Sequence, residues 1–518
     1  MPAIVNIMTL AGLCLAAAVL SYVLRTPRRG PLPPGPPRIP LLGSAHQLPQ
    51  NDQHLTFTKW AAQYGDVVYV EIFTRPTIIL SSVKAAIDLM DKRGAIYSDR
   101  PRFVWFHELI GWTSNAALCG YNETWRRMRK WFQHAFIARS AVDSYHPVQR
   151  REARRLLLNL LRHPDDFVYQ MKRYTGGIIF EIGYGHDIAS LDGGKFVKLT
   201  EDGIKAALVE SSTGAALVDF VPVLRYLPAW LPGMGFKYSA AKARKAVENM
   251  ERIPYNIVKN KIVDGIARHS FTAALIEDCS RKGALTARDE DDIKGASGTL
   301  YFAGTDSSLT TMIVFILVMV QYPGAFRKAQ EEMIRVVGDA RLPDFDDRAS
   351  LPYLECVLLE VYRWCPVAPL SVPHRLTEDD AYRGYYLPKG SMVISNLWAM
   401  CRDPEVYPEP EVFKPERFLG SNSSENPDLV DPRKIVFGFG RRICPGRYFA
   451  DDNLWLGIAS IVATMDITKA RNARGEEITP TPKYISGTIM CPEPFVCDIH
   501  PRSDRTRQLI LDGIAVLD

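Results

Sequence analysis

The loop Phe437-Gly438-Phe439-Gly440-Arg441-Arg442-Ile443-Cys444-Pro445-Gly446 sets one cysteine among three glycines and two arginines. Glycine allows tight turns and lets backbone come close to a flat ligand. Cys444 stands just before a helical stretch that begins near Arg447. The start of a helix offers free N–H groups and positive potential, which favour a thiolate. Arg442 can reach an anionic group beside the sulfur. A thiolate held this way is suited to bind iron and to push electron density onto it. The ordinary role of a cysteine is that of a small buried hydrophobe, and Cys444 is one of nine, at 14, 119, 279, 356, 365, 401, 444, 491 and 497. An odd number without regular spacing does not read as a disulfide framework. It fits reduced thiols on the cytosolic side.

Two further groupings carry chemistry. Ala303-Gly304-Thr305-Asp306-Ser307-Ser308 interrupts a long apolar helix. A mid-helix glycine costs about 1 kcal/mol against alanine, so an acid–alcohol pair beside one is unusual there. Asp306 and Ser307, with Thr305 alongside, could move protons; a helical serine can equally bond back to its own backbone. Glu360 and Arg363 lie three apart on one helical face and can pair. Phe413-Lys414-Pro415-Glu416-Arg417-Phe418 follows downstream.

The cysteine loop resembles the haem-binding signature of the cytochrome P450 family, Phe-x-x-Gly-x-Arg-x-Cys-x-Gly, at Phe437, Gly440, Arg442, Cys444 and Gly446. The likeness spans roughly residues 33 to 500, in the family's order. It implies haem b with Cys444 as axial iron ligand and Phe437, Arg442 and Gly446 beside it. Trp125-Arg126-Arg127-Met128-Arg129 resembles the family's Trp-x-x-x-Arg helix, so Trp125 and Arg129 are expected at a haem propionate. By the same resemblance Arg100 and His374 are further propionate contacts. Arg417 is expected to join Glu360 and Arg363 in a buried structural network. The helix break is similar to the family's oxygen groove, with Asp306, Ser307 and Thr305 as proton relay. The family usually has threonine where this chain has Ser307, and serine lacks the methyl that restricts χ1. The resemblance implies oxidation of a small apolar molecule, dependent on NADPH and O2. Electrons would come from a separate flavoprotein reductase, because the chain has no room for flavin domains. The pocket is expected at Phe103, Trp105, Phe106 and Trp112, at Tyr301, Phe302 and Ala303, at Ala368, Leu370 and Val372, and at Thr488 within 487–489. Phrases such as Tyr97-Ser98-Asp99-Arg100-Pro101-Arg102 look most like fungal microsomal members of secondary metabolism. A haem-thiolate isomerase needs no proton relay, so Asp306 and Ser307 argue against it. The aromatic wall and the distal groove argue against a non-enzymatic haem sensor.

These residues need rigid supports. Periodicity predicts a mainly α fold with a small β part, in one large domain over 41–518. Helices are expected at 291–321, 324–337, 352–364 and 448–464. Strands are expected at 67–70, 77–80, 382–387 and 392–394, the last two flanking the turn Pro388-Lys389-Gly390. Residues 3–24 carry no charge and as a helix would span a bilayer core of about 30 Å. Arg25, Arg28 and Arg29 follow, which predicts a single-pass anchor (1–30) in the endoplasmic reticulum membrane with the body cytosolic. A cleaved signal peptide ending near Ala16-Ala17-Ala18 is the alternative, but it lacks a basic leading segment. The proline run 31–40 reads as a stiff hinge. The apolar loop 220–232 could dip into the membrane interface. A reductase is expected on the face carrying Arg126, Arg127, Lys130, Arg441 and Arg447. The net charge of +5 is too small and too dispersed for nucleic acid. With a cytosolic body, the sequons at Asn122 and Asn422 would stay unmodified.

Overall fold

The computed structural model describes residues 30–187, 198–199, 202–209, 213–420 and 429–515. The expected anchor helix and the Asn422 sequon lie outside them. The principal helices are α1 (Glu123–Phe136), α2 (His146–Arg162), α3 (Phe167–Tyr184), α4 (Phe236–Val263), α5 (Phe271–Arg281), α6 (Ala287–Gln321), α7 (Pro352–Trp364) and α8 (Arg447–Thr464). Among the described residues α6 is the one helix long and apolar enough to cross a membrane, yet most of that stretch is buried inside the body. It is the central core helix. Thr286 and Asp289 form a capping box at its start, each bonding the other's backbone N–H. Along its length it packs on α3, where Gly304 lies against Ile179 and Thr305 against Gly176. With α2 and α8 these two helices share the large helical core.

The β part is small. Strands β1 (Val67–Ile72) and β2 (Arg75–Leu80) form an antiparallel hairpin. β3 (His374–Arg375) joins their sheet, whose order is β1-β2-β6-β3, with β6 (Met392–Ser395) parallel to β2. The stretch expected as one strand over 382–387 is two. β4 (Asp380–Tyr382) and β5 (Tyr385–Leu387) pair across Arg383 and Gly384, both at positive φ (50° and 82°). Two successive positive φ values make a tight turn matched to the twist of its strands. The proline segment is stitched to this layer. Tyr386 donates its N–H to Pro31 O at 2.7 Å, and Tyr69 to Pro34 O at 3.0 Å. Arg38 bonds Glu71 at 3.5 Å.

Candidate active site

Asn122 starts α1 by accepting the Trp125 N–H at 2.9 Å. That cap fixes the phase of the helix, so Trp125 turns inward and Arg129 reaches the cysteine loop one turn later. Arg129 Nη1 donates to Ile443 O at 2.6 Å. Arg442 donates to Ser98 O at 2.8 Å and to Cys119 O at 2.9 Å, and lies 4.2 Å from the Trp125 ring centre. Arg100 donates to Ala117 O at 2.8 Å, Val372 O at 2.6 Å and Pro373 O at 2.8 Å. His374 Nδ1 donates to Tyr97 O at 2.7 Å. The sequence-predicted cofactor residues Arg100, Trp125, Arg129, His374 and Arg442 are thus gathered from four separate segments.

Its electrostatics are one-sided. Among the described residues, Arg100, Arg129 and Arg442 hydrogen-bond carbonyls and no carboxylate. Asp99 is close, but its oxygens accept the N–H groups of Arg100 and Tyr121 and the Arg375 side chain. Burial depresses the pKa of all three arginines, and the charge of Arg442 depresses Arg100 further. Burial, with Arg100 and Arg442 beside it, holds His374 well below the usual histidine value. Buried cations need anionic partners. The two propionates of haem b would supply them, and the donor set fits that group.

The cysteine loop is shaped to one backbone path. Gly440 has φ +65°, and a Cβ there would stand 2.1 Å from Met90 O. Its N–H donates to the Asp91 carboxylate. Cys444 N–H returns to Phe437 O at 2.9 Å, and Arg447 bonds Cys444 O at 3.1 Å. Burial pushes the Cys444 thiol up; the Gly446 N–H, Arg129 and Arg447 pull the other way. Phe437 stands edge-on to Tyr362 at 5.7 Å, backing the loop against α7.

Behind it, the structure brings together the expected buried network. Arg363 binds Glu360 at 2.7 and 2.8 Å. Arg417, on the 3-10 turn Pro415–Phe418, binds Glu360 at 3.1 Å. The Lys414 N–H adds a bond of 2.8 Å to the same carboxylate.

On α6, Ala303 and Ser307 lie one turn apart, and Ala303 is exposed. The Ser307 hydroxyl donates to Ala303 O at 2.7 Å. Its lone pairs still accept. Among the described residues the buried Thr305 Oγ1 has no hydrogen-bond partner, and the Thr305 methyl lies against Gly176 of α3. Burial raises the Cys491 thiol, and the nearby Asp306 charge adds to the rise. Of the expected pocket residues, Phe103, Phe106, Phe302, Ala368, Leu370 and Val372 are part-exposed and Thr488 is exposed. Tyr301 turns instead into the helical core, against Phe180 at 5.4 Å and Tyr184 at 6.2 Å. Trp105 and Trp112 are buried behind the wall. Sequence reasoning missed Glu251, which binds Trp112 from 139 positions away. No local signal marks such a pair.

The family model for cytochrome P450 matches residues 33–495. The chain belongs to the cytochrome P450 family. It is 46% identical over 508 residues to cytochrome P450 monooxygenase 176 of Postia placenta, covering 98% of this chain and 97% of that one. Cytochrome P450 monooxygenase 136 of the same fungus is 43% identical over 505 residues, covering 97% and 95%. Cytochrome P450 monooxygenase claR of Ampulloclitocybe clavipes is 38% identical over 511 residues, covering 98% and 93%. The chain is therefore a haem-thiolate monooxygenase, not an isomerase or a sensor.

Proposed function

We propose that this monooxygenase oxidises a small apolar molecule, with electrons passed from NADPH through a separate flavoprotein reductase. Secondary-metabolite biosynthesis at the cytosolic face of the endoplasmic reticulum is the setting we favour. The observation that carries the reading is the set of carboxylate-free arginines, Arg100 buried and Arg129 and Arg442 half-buried, around the Cys444 loop. When bound there, haem supplies redox chemistry, with Cys444 as the axial thiolate. The rest is done by the chain. Arg100, Arg129, Arg442, His374 and Trp125 orient the carboxylates. Ala303 leaves open space on α6, and Ser307, spent as a donor on its own helix, can accept a hydrogen bond from water in that space. Asp306 is the acid that recharges the water. Phe103, Phe106 and Phe302 give an apolar wall that admits a hydrocarbon surface and little water.

Part of the expected reductase face is already committed. Arg127 is paired with Asp289 and Asp292. Arg126, Lys130 and Arg441 remain exposed and are the residues we assign to the acidic partner. For the membrane seat, Val223, Tyr226 and Trp230 stand 59%, 71% and 76% exposed on one loop. Aromatic tips of this kind favour a bilayer interface. The test is reconstitution with reductase and NADPH across terpenoids, polyketides, aromatics and indoles, alongside a 31–518 truncation. Substrate-dependent NADPH use that yields a product one oxygen atom heavier supports the assignment. A reduced carbon-monoxide spectrum without the thiolate signature overturns it.

A further inference from the structure

The wall over the cavity has its own small core. Val104, Trp105, Ile110 and Trp112 pack there with Ala243, Val247 and Met250 of α4, while Phe106 and Phe302 lean against it, half-buried. Trp112 is 1% exposed. It meets Phe302 edge-on at 5.3 Å and Phe106 at 6.2 Å. Trp112 therefore sets where both phenylalanines stand without reaching the cavity itself.

One polar contact fixes the indole. Trp112 Nε1 donates to Glu251 Oε1 at 2.8 Å. The notch for that carboxylate is cut into α6: a Cβ at Gly298 would stand 2.8 Å from Glu251 Cγ. One turn earlier, a Cβ at Gly295 would stand 2.2 Å from Ser114 O. Thr299 Oγ1 accepts the Ala116 N–H at 3.0 Å. Three α6 positions, 295, 298 and 299, thus seat the segment 112–116 and leave room for Glu251 beside it.

We propose that Glu251 is a positioning residue for substrate selection: through Trp112 it sets how far Phe106 and Phe302 close over the cavity. This rests on the monooxygenase reading of the cavity. A carboxylate grips an N–H more strongly than a neutral carboxyl does, so the wall stands tighter when Glu251 is ionised. Burial pushes this carboxyl up to about 7, against the Trp112 N–H and Lys294. Facing groups are Lys294 and Asp291 from α6 and Tyr184 from α3. Lys294 is shared with Glu290, Asp291 and the Tyr255 ring.

The test uses full-length holoenzyme and two iron-coordinating probes, 1-methylimidazole and 1-dodecylimidazole, titrated by absorbance between pH 6 and 8.5. Their affinity ratio cancels the titration common to both azoles. In the natural protein the preference for the long probe should fall about fivefold as pH rises through 7, the difference between a charged and a neutral hydrogen bond. Glu251→Gln and Trp112→Phe should each hold the ratio flat and near its low-pH value. A flat ratio in the natural protein, or a pH dependence that survives Glu251→Gln, overturns the proposal. The reduced carbon-monoxide spectrum of each variant separates the two readings, because loss of its thiolate signature would indict the haem site and not Glu251.

Discussion

Glu360→Ala should unbalance two buried arginines at once. Glu360 and Arg363 are fully buried, and the Arg417 side chain is 5% exposed. The carboxylate takes two bonds from Arg363, at 2.7 and 2.8 Å, one from Arg417 and one from the Lys414 N–H. After its removal Arg363 keeps the carbonyls of Cys401, Pro410 and Val412, which satisfy N–H groups without cancelling charge. Breaking a buried pair from one side costs about 3–5 kcal/mol. Stability totals about 5–15 kcal/mol, so about a fifth or more is at stake. The expected result is a melting point lower by about 3–5 °C and a reduced haem-loaded fraction, since α7 backs the cysteine loop through Tyr362 and Phe437. The reasoning makes a second demand. Replacing the set by apolar residues, Glu360→Leu with Arg363→Met and Arg417→Met, should recover much of the loss, because no charge is then left unpaired. Differential scanning calorimetry and the reduced carbon-monoxide spectrum read both effects. A Glu360→Ala protein melting within about 1 °C of the natural one with full haem content would refute the argument.

Ser307→Ala should raise hydrogen peroxide released per NADPH consumed while haem content stays normal, measured by peroxide assay beside NADPH depletion; unchanged leakage would make the hydroxyl a helix-packing detail. Asp219 accepts the Trp105 N–H at 2.9 Å, and burial raises its carboxyl to about 6 from 3.8. A raised acid favours the folded state when protonated, so stability falls as pH rises from about 4 to 6, and the full cost is present at 7. Asp219→Asn should therefore raise the melting point at pH 7 more than at pH 4.5, and equal shifts at both pH values would count against it. At Gly35 a Cβ would stand 1.9 Å from Tyr69 O. Gly35→Ala should free the 31–37 segment from β1 and speed tryptic cleavage at Arg38, whereas an unchanged digest would mean that the strand yields instead.

The parts of the site that sequence reasoning reached are those whose partners sit within a turn or a loop. The cysteine loop, the Glu360–Arg363 pair and the long apolar helix are local patterns, and the structure has them where spacing put them. The failures have a common cause. Tyr382–Leu387 looks like one strand because Arg383, a non-glycine, accepts a positive φ. Arg127 looks like a free surface cation until Asp289 and Asp292 arrive from more than 160 positions away. Tyr301 looks like pocket because Leu300, Tyr301, Phe302 and Ala303 are apolar in succession, so hydrophobicity cannot rank the faces of α6 there. Packing against Phe180 and Tyr184 decides the matter.

The two sides of the cavity are built by different means, and this bears on how one family can oxidise many molecules. On the cysteine side, Arg100, Arg129, Arg363 and Arg442 bind backbone carbonyls of distant segments, and Arg417 binds those of the loop just before it. Carbonyls are present whatever the side chains, so the bonds tolerate drift in the loop sequence but not loss of an arginine. The opposite wall is tied by fewer bonds, from two indoles and one exposed arginine: Trp105 to Ala207 O, Arg244 to Glu108 O and Leu109 O, Trp112 to Glu251. The Trp105 and Arg244 bonds can each be lost at a modest cost, about 0.5–1.5 kcal/mol for an ordinary hydrogen bond. Selection for a new substrate can therefore rework 103–116 and α4 while the thiolate seat stays intact. Relatives 38–46% identical to this chain along nearly its whole length are compatible with that division, in which many converging arginines hold the thiolate seat and a few separate bonds hold the wall.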